Sequence, residues 1–140
     1  MNKHVEVASD YFPSDEEPFM NDRQKEYFRL KLLAWKESIL SGSRETVKEM
    51  QEDAIHVADV VDRASEETDR ALELRTRDRE RKLVGKIDAA LRRIESGDYG
   101  YCSDTGNPIS LRRLDARPIA TLSLEAQERH ERREKVYRDD

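Results

Sequence analysis

The sequence predicts a mostly α-helical protein built on a long antiparallel coiled-coil hairpin, with a small globular domain and a C-terminal helix. The composition is the first observation: 41% of the 140 residues are charged, 36% are apolar and 6% are aromatic. This is too little apolar material for one compact globule, and it suits long solvated helices beside a modest core. Two narrow apolar stripes and a turn-rich segment after Gly97 are the other two observations.

The first stripe predicts a long helix that begins after Asn21. Asn21 is a favourable N-cap, and Gln24 three residues later completes a capping box. Apolar residues then recur at alternating spacings of four and three, first at Phe28, Leu32, Trp35 and Ile39, and again at Val47, Met50 and Ala54. One narrow stripe on a charged helix is typical of a coiled coil.

A second charged stretch, from Arg63 to about Ser96, predicts the other helix of the pair, and Gly97 supplies its C-terminal stop. Its candidate contact positions are Ala64, Thr68, Ala71, Leu72, Leu83, Ile87, Leu91 and Ile94. The short connection between the stripes favours a hairpin over residues 21–96 with its tip near 57–64. Pairing of separate long helices from different chains is the alternative.

The remaining segments are an arm, a globular domain and a last helix. Residues 1–20 are acidic, and their composition predicts weak order, in or beside the globular end. Residues 97–122 concentrate turn-forming residues and carry a few apolar ones for a small core. Ser123 or Thr121 can cap a helix over 123–140. The apolar candidates for the small core are Tyr99, Tyr101, Ile109, Leu111, Leu114, Ile119, Leu122 and Leu124.

The globular domain has the spacing of a zinc finger but lacks its ligands. A four-cysteine site needs C-x2-C, about 15–20 residues, and C-x2-C. Counting from Cys102 places the frame at Cys102, Thr105, Ser123 and Ala126. Three of these four side chains are poor zinc ligands, so the sequence predicts a zinc-finger-like domain without structural zinc and no other metal site.

Nothing in the sequence indicates catalysis. Cys102, the only cysteine, would need a base and an orienting group to act as a nucleophile. The three histidines, His4, His56 and His130, lie in three unlike segments. We therefore expect a protein that is not an enzyme and has no catalytic residues.

Two acidic residues mark the point where the hairpin reverses. Asp59 and Asp62 have an ordinary interpretation as a turn residue and a helix N-cap. They also have a functional one, as a pair of carboxylates carried on a rigid arm into the site of another molecule. Spacing alone favours the capping interpretation.

A basic row follows one face of the second helix. Arg75, Arg79, Lys82 and Lys86 recur at spacings of four, three and four beside Leu83. Such a row is either a solvated face or a site for phosphate or an acidic partner, which arginine binds in bidentate fashion. Arg112, Arg113 and Arg117 are further candidates if the small domain folds back on the base of the hairpin.

The charge distribution limits the partners. The net charge of −5 arises within residues 1–22, and the rest of the chain balances 25 acids with 25 bases. A neutral body is unlike a sequence-independent DNA-binding protein. A lone cysteine fits a reducing compartment, and no apolar run approaches the roughly 18 residues that span a bilayer. We expect a cytoplasmic protein that binds neither a membrane nor specific DNA sequences.

Four segments carry a more specific resemblance: "DVVDRAS", "LELRTRDRERKL", "IESGDYGYC" and "ISLRRLDARPIATLS". Together they resemble the DksA/TraR family of transcription factors from about Met20 to about Lys135. The resemblance implies a monomer that binds RNA polymerase, with the hairpin in the secondary channel and its tip near the polymerase active site. The family's tip pattern D-x-x-D-x-A matches Asp59, Asp62 and Ala64, which reverses the preference for simple capping.

The resemblance also implies a regulatory ligand, guanosine tetraphosphate, bound between the factor and the rim of a polymerase subunit during the stringent response. The matching positions are Arg79, Leu83, Lys86 and Arg117. One basic position of the family is Gln127 here, so the alarmone site has one cation fewer, and the sequence leaves the strength of its dependence on the nucleotide open. Relatives with degenerate cysteines and no zinc are known, so the frame at Cys102 is compatible with this function.

Two alternative functions remain open at this point. A transcript-cleavage factor also sends acidic tips down the same channel. A coiled-coil scaffold with no role at the polymerase would share the hairpin alone.

Overall fold

The computed structural model describes residues 4–55 and 60–139, without the side chains of 43, 46, 47, 49–64, 138 and 139. Its helices are α1 (Asp22–Ile55), α2 (Val60–Ser96), α3 (Leu111–Ala116) and α4 (Leu124–Asp139). The described residues form no strand, only an isolated antiparallel bridge between Tyr101 and Pro108. The predicted mostly α-helical class is confirmed. Within these residues, no helix is sufficiently long and apolar to cross a membrane.

The chain divides into two compact units. Met1–Leu32 and Ile87–Asp140 form one, here called the globular unit, and Leu33–Lys86 form the other, the hairpin unit. Both long helices contribute to both units, since α1 and α2 run past these boundaries.

The start of α1 confirms the predicted cap and modifies it. Asn21 Oδ1 accepts a hydrogen bond from the Gln24 backbone N–H at 2.9 Å, as an N-cap does. The Gln24 side chain reaches one residue further back than a standard capping box, because its Oε1 accepts from the Met20 N–H at 2.8 Å. Gln24 is fully buried, so these bonds also fix the entry of the arm into the helix.

Gly97 ends α2 as predicted. Its φ of 87° lies in the left-handed region that favours glycine. The Asp98 N–H donates to the Arg93 carbonyl at 2.9 Å, and the Gly97 N–H donates to the Ile94 carbonyl at 3.4 Å. This pair of bonds is a Schellman motif.

In the hairpin unit α1 and α2 line a common groove, to which Ile39 and Leu40 contribute from α1 and Leu74 and Val84 from α2. Trp35 and Ile39 are half-buried, in agreement with the predicted stripe on α1. The prediction for α2 is wrong at Thr68, Ala71 and Leu72, which are exposed.

A different row of α2 has the lower exposure, at spacings of four and three: Glu66, Arg70, Glu73, Arg77, Glu80 and Val84, continuing to buried Ile87. Most of these side chains are charged, and long charged side chains bury their aliphatic stems while their heads stay in water. The less exposed face of α2 in the hairpin unit is therefore mostly charged, and a search for hydrophobic periodicity does not detect it.

The core of the globular unit lies between the bases of the long helices and the turn-rich segment. Phe28, Leu32, Ile87, Ile109 and Leu114 are each 0% exposed. Tyr99 packs beside Phe28 with ring centroids 5.5 Å apart, and its buried hydroxyl donates to the Pro118 carbonyl at 2.8 Å. Most of the predicted small core is confirmed, but Tyr101 and Leu124 are exposed.

Within the globular unit, the described part of the arm packs against α1 and the turn-rich segment, through Tyr11 on Tyr27 and Phe19 on Tyr101, although its composition predicts weak order. Tyr11 donates to Glu17 at 2.5 Å, and the Arg23 guanidinium lies 4.4 Å from the centre of the Tyr11 ring. Phe19 and Met20 approach Gly100 so closely that a Cβ there would lie 3.1 Å from a Met20 carbon. Aromatic anchors thus hold an otherwise acidic segment.

Candidate functional site

The predicted tip falls largely outside the described part of the chain. Asp59 is outside the described residues, and so are the side chains of Asp62 and Ala64. The described backbone of α2 runs from Val60, so Asp62 lies inside the helix. The interpretation of Asp62 as the N-cap before Arg63 is therefore wrong.

The basic row on α2 has two kinds of members. Lys82 lies 3.2 Å from Asp78, which also binds Arg81 at 2.6 Å, so Lys82 is paired within its own helix. Arg79 and Lys86 are exposed, and Leu83 between them is half-buried. Among the described residues neither Arg79 nor Lys86 has a carboxylate partner. The Arg79 guanidinium and the Lys86 ammonium group are therefore both available to an external anion.

Arg117 belongs to the globular unit, where it is the C-cap residue of α3. Its backbone N–H donates to the Arg113 carbonyl at 2.7 Å, and its side chain is exposed. The neighbouring Arg113 has a structural task, because its Nε donates to the Leu122 carbonyl at 2.9 Å. Of the three arginines predicted here, Arg112 and Arg117 are exposed and Arg113 is committed to the fold.

A polar cluster that the sequence did not reveal fixes α3. Asp115 Oδ1 accepts from the Tyr27 hydroxyl at 2.6 Å and from Lys31 Nζ at 2.6 Å. Burial raises the pKa of Asp115, but the bonds from Lys31 and Tyr27 outweigh it and hold that pKa below its usual value. Burial, together with the same carboxylate, raises the pKa of Tyr27 to about 12. This cluster ties α3, whose C-cap residue is Arg117, to α1.

Gln127 lies in the first turn of α4 and is half-buried. Its backbone N–H donates to the Ser123 carbonyl at 2.9 Å, and its side-chain Nε2 donates to Glu131 at 3.2 Å. A side-chain amide at this position offers an anion hydrogen bonds but no charge.

The four positions of the zinc-finger frame lie in two places. Cys102 and Thr105 lie in a hydrogen-bonded loop, and Ser123 and Ala126 lie at the N-terminal cap of α4. Cys102 is 2% exposed and Ala126 is fully buried. The Cys102 N–H donates to the Asn107 carbonyl at 2.8 Å, and its carbonyl accepts from the Gly106 N–H at 2.8 Å. Ser123 Oγ accepts from the Ala126 N–H at 3.2 Å, which confirms Ser123 as the cap of α4.

The buried Cys102 thiol has a lowered pKa. Burial by itself raises this pKa, but hydrogen bonding to the Thr105 hydroxyl and to the N–H groups of Ser123, Thr105 and Asp104 lowers it more, to a net value of about 6. The loop is also tied to α4, because His130 Nε2 lies 2.7 Å from Asp104 Oδ2.

These residues do not fit a zinc ion. A structural zinc site takes four thiolate or imidazole ligands, and this frame offers one thiolate. Ser123 Oγ is used by the helix cap, and Ala126 has no donor atom. Within the described residues, no three His, Cys, Asp or Glu side chains cluster in a way that could hold a metal ion.

Comparison with known proteins identifies the family. Residues 24–94 match the profile of the DnaK suppressor protein DksA, N-terminal domain, and residues 97–132 match the prokaryotic dksA/traR C4-type zinc finger. The RNA polymerase-binding transcription factor DksA of Caulobacter vibrioides is 70% identical over 132 residues, which cover 94% of this chain and 93% of that protein. The chain belongs to the DksA family.

The DksA resemblance extends to more distant relatives and to a solved structure. The RNA polymerase-binding transcription factor DksA of Escherichia coli K12 is 44% identical over 119 residues, 85% of this chain and 79% of that protein. The structure of transcription factor DksA2 from Pseudomonas aeruginosa matches with a TM-score of 0.78 and 44% identity, over 84% of this chain and 90% of that one. The C4-type zinc-finger profile thus matches a segment that contains a single cysteine, Cys102.

Proposed function

We propose that this chain is a DksA-type regulator that binds RNA polymerase through the secondary channel and modulates transcription initiation. The observation that carries the proposal is the 70% identity to a DksA named as RNA polymerase-binding, over nearly the full length of both chains. In this proposal residues 21–96 form the hairpin, 97–122 and the arm (1–20) form its base, and 123–140 form the last helix.

The tip residues Asp59, Asp62 and Ala64 are proposed to act beside the polymerase active site. They match the family pattern D-x-x-D-x-A residue for residue. The carboxylates of the two aspartates would alter the stability of open promoter complexes through their charge, and they would catalyse no reaction of their own.

Replacement of Asp62 tests this role. Asp62→Asn should bind polymerase with unchanged affinity and lose the effect on initiation at a ribosomal RNA promoter. Asp69→Asn, an exposed aspartate on the same helix, is the matched control and should regulate normally. Undiminished regulation by Asp62→Asn would contradict the proposed mechanism.

Guanosine tetraphosphate is the proposed regulatory ligand, held where the factor meets the polymerase rim. Arg79 and Lys86 on α2 and Arg117 at the end of α3 are exposed, and in the described part of the chain they have no carboxylate partner. Leu83 lies on α2 between the first two. Charge-assisted hydrogen bonds to phosphate are the strong ones, so these three cations suit an alarmone.

The remaining parts of the proposal concern the protein's compartment, its assembly state, and the activities and ligands that it lacks. It is proposed to act in the cytoplasm as a monomer, with no enzymatic activity, no membrane and no sequence-specific DNA contact of its own. It is also proposed to need no structural zinc, since the frame at Cys102, Thr105, Ser123 and Ala126 provides a single thiolate. Metal analysis of the purified chain tests this last point.

A further inference from the structure

We propose that the arm and α3 together form a docking site for an arginine side chain on the surface of RNA polymerase. The inference rests on the proposed function and deepens it, because it gives the acidic arm a part in polymerase binding. The site is a cavity of about 460 Å³ within the globular unit. It is lined by Phe12, Pro13 and Asp15 from the arm and by Leu111, Arg112 and Asp115 from α3.

Phe12 is an aromatic side chain that the fold leaves open to a partner. It is 66% exposed, although its ring packs against Tyr27 with centroids 5.8 Å apart. Two rings of the same cluster each have a cation over them, since Arg23 lies 4.4 Å from the centre of Tyr11 and Lys31 lies 5.7 Å from that of Tyr27. In the described part of the chain no cation lies over Phe12. Its ring can therefore accept one from another molecule.

Asp115 presents a second feature that suits an incoming cation. Its bonds from Tyr27 and Lys31 both end on Oδ1. Oδ2 has no hydrogen-bond partner among the described residues, and the side chain is 28% exposed. Asp15, which is exposed, adds another carboxylate to the lining. A guanidinium group donates paired N–H groups to carboxylates and also stacks on aromatic rings, so a single arginine can use both features.

The charge around the cavity favours a basic partner. Arg112 contributes a guanidinium group to the lining, and Lys31 pairs with Asp115, so these bases offset the two carboxylates of the cavity itself. The surplus of negative charge comes from the arm, because residues 4–20 contain no lysine or arginine. Three further carboxylates of the arm are exposed: Glu6, Asp10 and Glu16. Positive groups of a partner are therefore attracted to the arm.

The position of the cavity links it to the polymerase. Leu111, Arg112 and Asp115 lie in α3, and Arg117 is the C-cap of that helix. A helix of six residues is about 9 Å long, so the cavity and Arg117 are close neighbours. In the proposed function Arg117 faces the rim of a polymerase subunit, and the same rim is thus the surface that can deliver the arginine.

Binding of purified RNA polymerase to the full-length chain at low salt tests the proposal. Phe12→Leu keeps an apolar side chain but removes the ring, and it should raise the dissociation constant about 5-fold or more. Phe12→Trp keeps a ring that stacks on cations and should bind as the parent does. Both variants should keep the parent's Tm, because the side chain is 66% exposed. Leu30→Ala, at an exposed apolar residue of α1, is the matched control and should bind normally.

A charge reversal tests the acidic part of the site. Asp15→Lys should weaken binding at low salt and reduce its dependence on salt concentration. Glu95→Lys makes the same change at an exposed residue of α2 in the same unit and should have a much smaller effect.

Photo-crosslinking identifies the group that enters the cavity. With photoreactive p-benzoylphenylalanine in place of Phe12, the label should appear in a peptide of the purified polymerase that contains arginine. A labelled peptide without arginine overturns the proposal.

The binding results separate this proposal from the proposed function. If the parent binds polymerase and Phe12→Leu binds equally well, the docking site is overturned and the proposed function stands. A parent that does not bind polymerase overturns both. A dimer of this chain in sedimentation that Phe12→Leu abolishes assigns the cavity to a second copy and also overturns the docking site.

Discussion

The hydroxyl of Tyr27 donates to Asp115 Oδ1 at 2.6 Å and so joins α1 to α3 across 88 residues of sequence. Lys31, one turn further along α1, donates to the same oxygen at 2.6 Å. Asp115 lies in α3, and Arg117 is the C-cap of that helix, so these two bonds help to position the backbone that carries one cation of the proposed alarmone site.

Removal of the Tyr27 hydroxyl should destabilise the protein. Hydrogen bonds to charged groups contribute about 1.5–3 kcal/mol, and Lys31 remains to pair with Asp115, so we expect Tyr27→Phe to lose about 1–2 kcal/mol. Urea unfolding followed by circular dichroism measures the loss. Tyr137→Phe is the control, because that side chain is 79% exposed and should behave as the parent does. Equal stability of the two variants would show that the bond contributes nothing.

Asp115 should make stability depend on pH in the acidic range. Although burial raises its pKa, Lys31 and Tyr27 lower it to a net value below that of the unfolded chain. A depressed folded pKa adds stability above the unfolded pKa, and this stability is lost as the pH falls through the folded one. Asp115→Asn should therefore be less stable than the parent at pH 7, with the difference shrinking below about pH 4.

Urea unfolding of both proteins between pH 7 and pH 3 measures that difference. Asp10→Asn, at an exposed aspartate of the arm, is the control and should follow the parent throughout. A gap between Asp115→Asn and the parent that stays constant with pH would contradict the assignment.

Restoration of the missing ligands should create a zinc site. The spacing of the frame is retained, so Thr105→Cys combined with Ser123→Cys and Ala126→Cys should bind one zinc ion per chain, and chelator should destabilise this variant. Metal analysis after dialysis measures the stoichiometry. The same variant with Cys102→Ser offers three thiolates and should bind zinc more weakly. Failure of the four-cysteine variant to retain zinc would mean that the four positions do not converge.

A cation at position 127 should strengthen the response to guanosine tetraphosphate. One added charge-assisted contact contributes about 1.5–3 kcal/mol, so Gln127→Lys should lower the alarmone concentration for half-maximal regulation about 10-fold or more. Transcription assays across a range of alarmone concentrations measure this shift. Tyr137→Lys adds the same charge at an exposed site of α4 and should have no such effect. An unchanged response in Gln127→Lys would place this residue outside the alarmone site.

The local signals in the sequence predicted the fold well. Asn21 and Gly97 begin and end the helical pair as their residue types require, and Phe28 and Leu32 are buried where the stripe on α1 placed them. These features depend on short-range physics, namely caps, turn conformations and periodic hydrophobicity. They can therefore be read from a single chain.

The failures have physical causes as well. The prediction for α2 is wrong because its less exposed face carries charged residues such as Arg70, Glu73 and Arg77, which are half-buried and which hydropathy assigns to the surface. The bond between Tyr27 and Asp115 spans 88 residues, and no periodic pattern connects its two ends. The frame at Cys102 is visible from spacing, whereas the bonds that hold its loop join backbone groups, such as the Cys102 N–H and the Asn107 carbonyl, which have no signature in sequence.

Co-purification with RNA polymerase tests the central claim most directly. The purified chain, mixed with polymerase at low salt and passed over a sizing column, should elute with the enzyme in about a one-to-one ratio, and guanosine tetraphosphate should strengthen the complex. A chain that elutes separately at low salt, with and without the nucleotide, would contradict the account and favour a coiled-coil scaffold.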